Sequence, residues 1–398
     1  MTEVQVATTR PELEQRLGAE LSRLRAAHLY RTRRVIDGNH GVILHVDGRA
    51  LINFCSNDYL GLASDPRIAE AARRASTHCG WGSGAAALIS GYNREHAALE
   101  ESLADFLGRP RALLFTSGWA ANLGVLRALF GKQDTLLCDN LNHASLIDGA
   151  RLSGAQYRRI AHGDTAAYAE ELAVAEGAGT GALGIVTDSV FSMDGDLADL
   201  RGLTALAEQH RATLIVDDAH GFGVLGSDGR GACEHLLGRG AAAPAVYIAT
   251  LGKSLGAAGA FVAGSDVLIE YLIQRARTWV FSTAPPPATA AAARAALEII
   301  RTEPEHRLRL LGNIAHFRRG AAALNLPLLP SMTAIQPLVL GDAASALAAS
   351  RRLYDRGYWV AAIRPPTVPT GTSRLRITLS AAHTLDQIDG LLAALAAA

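Results

Sequence analysis

Lysine is nearly missing from this chain of 398 residues. Of its 38 basic side chains only Lys132 and Lys253 are lysine, and the rest are arginine. Arginine replaces lysine well as a solvated charge. Its guanidinium is not a nucleophile near neutral pH and forms no imine. A lysine kept against that bias is a candidate for chemistry that only an amine performs. Cysteine is scarce too. Cys55, Cys79, Cys138 and Cys233 lie far apart with no Cys-x-x-Cys pair, which argues against a disulfide frame or a zinc site. They read as reduced thiols in or near the core of a cytoplasmic protein. Net charge is absent, because 38 acidic residues balance the 38 basic ones. That leaves no electrostatic case for a nucleic-acid backbone or an anionic membrane surface. No apolar run approaches the roughly 20 residues of a spanning helix. The start, with Arg10, Glu12, Glu14 and Arg16, lacks the apolar stretch of a signal peptide.

Hydrophobic residues make up 49% of the chain, enough for a large domain core and a smaller second one. The pattern predicts a polar, amphipathic helix over 11–35 that packs as an arm on the body. Two short strands follow, at 42–46 and 50–54, around the turn Asp47-Gly48. From about residue 111, short apolar runs at 112–116, 135–138, 183–187, 213–216 and 246–250 alternate with helical segments at 120–129, 145–153 and 199–210. Strands apolar throughout and separated by helices predict a parallel sheet covered on both faces. Pro285-Pro286-Pro287 breaks the pattern, an Ala-rich helix over 288–301 follows, and the remainder reads as a smaller α+β part. The expected division is an arm and small β segment (1–55), a large domain (56–287) and a small C-terminal domain (288–398).

In an open parallel sheet, ligands bind beyond the carboxyl ends of the strands. Those ends carry Ser117-Gly118-Trp119, Asp139 with His143 close behind, Asp188 with Ser192, Asp217-Asp218-Ala219-His220, and Gly252-Lys253-Ser254. Five reactive ends converging on one rim form the main functional signal. Small neighbours around Lys253 let a planar group approach, and shielding from water would free its amine for nucleophilic work. Gly252-Lys253-Ser254 ends like a phosphate-binding P-loop, but Tyr247 stands where the first glycine belongs. Gly221-Phe222-Gly223-Val224-Leu225-Gly226 spells a dinucleotide fingerprint, yet Ser227-Asp228-Gly229-Arg230-Gly231 follows it instead of a helix. Asp217 could pair with a protonated ring nitrogen, and His220 could donate to a phenolic oxygen. Each also reads as an ordinary structural residue. Thr116-Ser117-Gly118-Trp119 offers backbone N–H groups at a helix start. Arg364, held among Pro365, Pro366 and Pro369, suits carboxylate recognition or is merely solvated.

Together Asp217-Asp218-Ala219-His220-Gly221, Thr250-Leu251-Gly252-Lys253, Asn57-Asp58-Tyr59-Leu60-Gly61 and Phe191-Ser192-Met193-Asp194-Gly195-Asp196 resemble the α-oxoamine synthases. The resemblance runs from about residue 28 to the C-terminus. These are pyridoxal 5′-phosphate enzymes of fold type I, with a mostly parallel α/β sheet. They condense an amino acid with an acyl thioester, releasing carbon dioxide and the carrier. Ile363-Arg364-Pro365-Pro366-Thr367-Val368-Pro369 and Arg374-Leu375-Arg376 are similar to members that join L-alanine to a pimeloyl thioester, carried by CoA or acyl-carrier protein. A glycine C-acetyltransferase and a non-catalytic cofactor-binding regulator are the alternatives.

The resemblance implies that Lys253 holds the cofactor as an imine and acts as base, that Asp217 pairs with the ring nitrogen and that His143 stacks on the ring. It implies that His220 bonds the phenolic oxygen and that Gly118, Trp119, Ser192 and Thr250 contact the cofactor. Arg31, His143, Arg364 and Thr367 would contact substrate. Ser282 and Thr283 would reach the phosphate in the neighbouring subunit of a homodimer. The segment Gly82-Ser83-Gly84-Ala85-Ala86-Ala87-Leu88 is poorer in Gly and Ser than the family pattern, and Trp119 stands where Phe is frequent. Both bear on acyl-chain packing.

Overall fold

The structure, a computed structural model, describes residues 11–179, 181–240 and 244–397. Arg10 and the other early residues of the expected arm lie outside this description. Fourteen strands are described: β1 (Ile36–Asp37), β2 (Ile43–Val46), β3 (Arg49–Asn53), β4 (Arg111–Phe115), β5 (Thr135–Asp139), β6 (Gln156–Ile160), β7 (Leu183–Asp188), β8 (Thr213–Asp217), β9 (Val246–Thr250), β10 (Ala260–Gly264), β11 (Ile335–Gly341), β12 (Tyr358–Trp359), β13 (Ala361–Ile363) and β14 (Ser373–Thr378).

The central sheet has seven strands in the order β4-β10-β9-β8-β7-β5-β6. The pairs β9–β8–β7–β5–β6 are parallel. β10 runs antiparallel to both β9 and β4, so β4 points the same way as the parallel set. Every residue of β5, β7 and β10 is buried, as a sheet covered on both faces requires. Tyr247, Phe222, Phe261 and Phe106 pack edge-on around one face. On the other face lie Leu136, Val186, Ile215 and Ile248 with Val125 and Leu146.

Caps set where the covering helices begin. Ser117 accepts from the N–H of Ala120 at 3.1 Å to start helix Gly118–Leu129. Thr384 and Gln387 form a reciprocal capping box on helix Leu385–Ala396. Helix Pro287–Thr302 buries a row of alanines between helices Pro66–Cys79 and Arg94–Leu107, since small side chains allow helix axes to come close. Strand β12, from the C-terminal part, joins β1, β2 and β3 in a four-stranded sheet. β11, β14 and β13 make a third, antiparallel sheet.

The arm departs from expectation twice. Its helix covers Pro11–Ala26, not 11–35. It ends because His28 turns left-handed at φ 57°, with Leu29 N–H bonded to Leu24 O and His28 N–H to Arg25 O, a Schellman closure. Nor does the helix pack on the body: none of its residues is buried, and Leu13, Leu17 and Leu21 stay exposed. Asp47 and Gly48 do form the expected tight turn, both with positive φ.

Candidate active site

Because β4, β5, β7, β8 and β9 point one way, their carboxyl ends share one rim. At that rim Lys253, two residues beyond Leu251 and just past β9, places Nζ 2.8 Å from Nε2 of His220, just past β8. Lys253 is partly exposed as a residue, but desolvation of the amine pulls its pKa down to about 8, against opposing pulls first from Asp217 and then from Asp188. The other lysine, Lys132, is exposed in the turn before β5, at the opposite end of that strand from the rim.

Asp217, the last residue of β8, is buried. Its Oδ2 accepts from Asn122 Nδ2 at 2.7 Å and its Oδ1 from the N–H of Ala219 at 3.0 Å. Asn122 also donates to Ser145 Oγ at 2.8 Å. Ser145 in turn meets Nδ1 of His143 at 2.7 Å, so Asp217, Asn122, Ser145 and His143 form one polar chain. His143 caps helix Ala144–Ser153, and its own N–H donates to Asp188 Oδ2 at 2.6 Å. Desolvation lowers the pKa of His143; the charge of Asp217 opposes this and that of Lys253 adds to it. Burial, then the charges of Lys253 and Arg376, push His220 well below the usual histidine range, so it is neutral. Burial and the neighbouring Asp217 push Asp188 well above the usual carboxylate range.

Gly118 and Trp119 open the helix after β4. Their N–H groups fall in the first turn, where no intrahelical acceptor exists, and a Cβ built on Gly118 meets nothing within 4 Å. Trp119 is 45% exposed and stands edge-on to His143, with ring centroids 6.3 Å apart. Thr250 is partly exposed, its hydroxyl donating to Gly259 O at 3.0 Å and accepting from Gly252 N–H at 3.2 Å. The loop holding Ser192 is pinned by β14: Arg376 donates to Ser192 O at 2.6 Å, and Arg374 to Asp194 Oδ1 at 2.5 Å. From the other side His162 spans Asp139 (3.1 Å) and Asp196 (2.9 Å). Those two carboxylates, Asp139 first, raise its pKa to about 10.

Some expected site residues stand apart. Arg364 donates to His28 O at 2.5 Å and to Tyr30 O at 3.4 Å, which ties the arm's exit to the Pro-rich turn. Arg31 is exposed nearby, close enough for its charge to act on Arg364. Thr367 is exposed and bonds Arg364 O through its N–H. Ser282 and Thr283 line a small cavity with Thr116, Tyr92, His96 and Trp279. Ser282 donates to Thr278 O at 2.7 Å. Among the described residues, no hydrogen bond joins either of them to the Lys253 cluster.

A sequence profile for aminotransferases of class I and II matches residues 49–395. The chain belongs to that family. Curated relatives agree with the family at close range. The 8-amino-7-oxononanoate synthase of Methylococcus capsulatus is 56% identical over 376 residues, covering 94% of this chain and 96% of its own. That of Alkalilimnicola ehrlichii is 54% identical over 384 residues, covering 96% and 97%. Among solved structures, a serine palmitoyltransferase from S. paucimobilis with a bound PLP–myriocin aldimine superposes with a TM-score of 0.90 at 28% identity, covering 98% of both chains. An 8-amino-7-oxononanoate synthase from Francisella tularensis gives 0.74 at 32% identity, covering 87% of this chain and 97% of that one. The aminotransferase-like α/β fold of type I expected from the motifs is therefore the fold of this family member.

Several residues of this site carried no assigned role in the sequence. Asn122 holds Asp217, Asp188 holds His143, and Arg376 and His162 fix the Ser192 loop. Asn122 left a faint trace, as a polar residue in the apolar run Trp119-Ala120-Ala121-Asn122-Leu123-Gly124-Val125.

Proposed function

We propose that this chain is a pyridoxal 5′-phosphate-dependent 8-amino-7-oxononanoate synthase, joining L-alanine to a pimeloyl thioester in biotin biosynthesis. The reaction releases carbon dioxide and the thiol carrier. The observation that carries the reading is the rim itself: an amine with its pKa lowered to about 8 beside a neutral imidazole and a buried carboxylate. Relatives more than half identical over nearly the full length supply the substrate class.

The residues present fit the cofactor. Lys253 Nζ would hold it covalently, and Asp217 would hold the proton of its ring nitrogen. His143 would lie on the ring, and His220 Nε2 would meet the phenolic oxygen. The open start of helix Gly118–Leu129, with Gly118 and Trp119, offers free N–H groups and room for close approach. Ser192 and Thr250 would complete the contacts. When bound, pyridoxal phosphate supplies an electron sink for the carbanion formed at the amino-acid Cα. Lys253 Nζ, once released, takes the Cα proton; a base with its pKa near working pH is suited to this. Asn122 keeps Asp217 oriented, and Asp188 keeps the backbone of His143 in place. Arg364, with Arg31, Thr367 and His143, is the proposed substrate contact set, with the guanidinium taking a carboxylate.

We also propose a homodimer with shared sites. Trp81, Ile89 and Phe281 are 72%, 80% and 71% exposed. Their segments adjoin, since Ser83 Oγ donates to Pro285 O and Ala284 N–H to Ala85 O. Such an apolar surface next to Ser282 and Thr283 suits a second copy, whose phosphate those residues would reach. No helix among the described residues is long and apolar enough to cross a membrane.

Mass spectrometry of products from a panel of amino acids and acyl thioesters tests the function. L-Alanine with a pimeloyl thioester should give the 8-amino-7-oxononanoate mass above all other pairs. Preference for glycine with an acetyl thioester would replace this reading with a glycine C-acetyltransferase.

A further inference from the structure

On the ring edge opposite Lys253, the imidazole of His220 meets Tyr59. Tyr59 is 1% exposed, and its Oη lies 2.5 Å from His220 Nδ1 and 3.2 Å from Asn57 Oδ1. A neutral imidazole carries one proton, and the partner of one nitrogen decides which nitrogen holds it. The ionisable groups facing His220 are Tyr59, Lys253, Arg376 and His143. Of these only the Tyr59 hydroxyl touches Nδ1. That hydroxyl has a single proton and two acceptors within reach. Asn57 Oδ1 already accepts from Arg376 Nη1 at 3.1 Å, while Nδ1 is nearer and meets no other polar group among the described residues. With the proton on Nδ1, His220 would donate to Tyr59 and present Nε2 as a lone pair. A phenolate oxygen has no use for a lone pair.

We propose that, once Lys253 is engaged with the cofactor and no longer donates to Nε2, Tyr59 is a positioning residue whose hydroxyl donates to Nδ1 of His220 and so keeps the imidazole proton on Nε2, facing the cofactor's phenolic oxygen. This rests on the pyridoxal phosphate reading of the site. Tyr59 acts through His220 and touches no reacting atom. Arg376 contributes by satisfying Asn57, which leaves the phenol proton to the histidine.

NMR of the histidine-labelled holoenzyme reads the protonated nitrogen, with the His220 signals assigned by their loss in His220→Gln. The wild-type holoenzyme should carry the proton on Nε2. In Tyr59→Phe the proton should be shared with Nδ1 or moved there. The pH midpoint of the bound cofactor's visible band should rise by roughly half a unit or more, because a donor to the phenolic oxygen is weakened. kcat should fall roughly five- to tenfold, the worth of one hydrogen bond, with KM for the amino acid unchanged. A merely structural tyrosine would lower thermal stability while tautomer and midpoint stayed put, and that result overturns the proposal. Nδ1 protonation in the wild-type holoenzyme overturns it without any variant, so poor folding of Tyr59→Phe does not block the test. A wild-type chain that gives no visible band with pyridoxal phosphate overturns the cofactor reading, and the proposal with it.

Discussion

The depressed pKa of Lys253 has a kinetic signature that needs no substrate. An exposed lysine titrates near 10.5, whereas desolvation brings this amine to about 8. The difference of about 2.5 units sets how much neutral amine is available at pH 7. About one molecule in ten carries it, against about one in 3,000 for an exposed lysine, a gain of about 300-fold. Only the neutral amine attacks an aldehyde. The rate at which apoenzyme attaches pyridoxal phosphate should therefore climb about tenfold per pH unit below pH 7, bend near pH 8 and be flat above. Stopped-flow absorbance across a pH series reads this directly. Asp217 is the strongest influence propping the amine up. In Asp217→Asn the bend should move to lower pH, while attachment itself survives. A wild-type rate still climbing tenfold per unit beyond about pH 9 would refute the burial argument. A bend at the same pH in both proteins would show that Lys253 and Asp217 do not sense one another.

Three further outcomes follow from the same geometry. Lys253→Ala should bind pyridoxal phosphate without the visible band of covalent attachment, and product formation should fall by at least about 10²-fold, the usual share of a positioned base. Arg364→Met should raise KM for the amino acid roughly tenfold with little change in kcat, as loss of a charge-assisted carboxylate contact predicts, read by initial-rate kinetics. His162 gains stability from its raised pKa: the gain is complete below about pH 6.5, declines above it and is gone once pH passes about 10. His162→Gln should therefore cost about 2 kcal/mol at pH 6 and almost nothing above pH 10, measured as denaturant midpoints at each pH.

Period and strand ends were legible because they are local. The apolar runs that became β5, β7, β8 and β9 needed no distant partner to be recognised. β6 was not legible, since Gln156-Tyr157-Arg158-Arg159-Ile160 looks like loop and becomes a strand only by pairing with β5 at the sheet edge. β10 was missed for the opposite reason: a short apolar run carries no sign that it will insert antiparallel between β4 and β9. In the site, Lys253, Asp217 and His220 announce themselves by residue type. The bonds that orient them join residues far apart in sequence, as Asn122 with Asp217 and Tyr59 with His220 do. Polar partners of that kind look ordinary until the chain has folded. The arm was misjudged because amphipathicity gives the apolar face of a helix but not what covers it, and Leu13, Leu17 and Leu21 remain uncovered within this chain.

Lys132, exposed before β5, is the sole lysine rival to Lys253. Aldehydes therefore meet only two side-chain amines in this chain. Hydride reduction of the loaded enzyme should yield one dominant tagged peptide, against a background of only Lys132 and the chain's α-amino group. The same sparseness makes the chain a clean substrate for amine-selective labels, because a probe that reads Lys253 has almost nothing else to read.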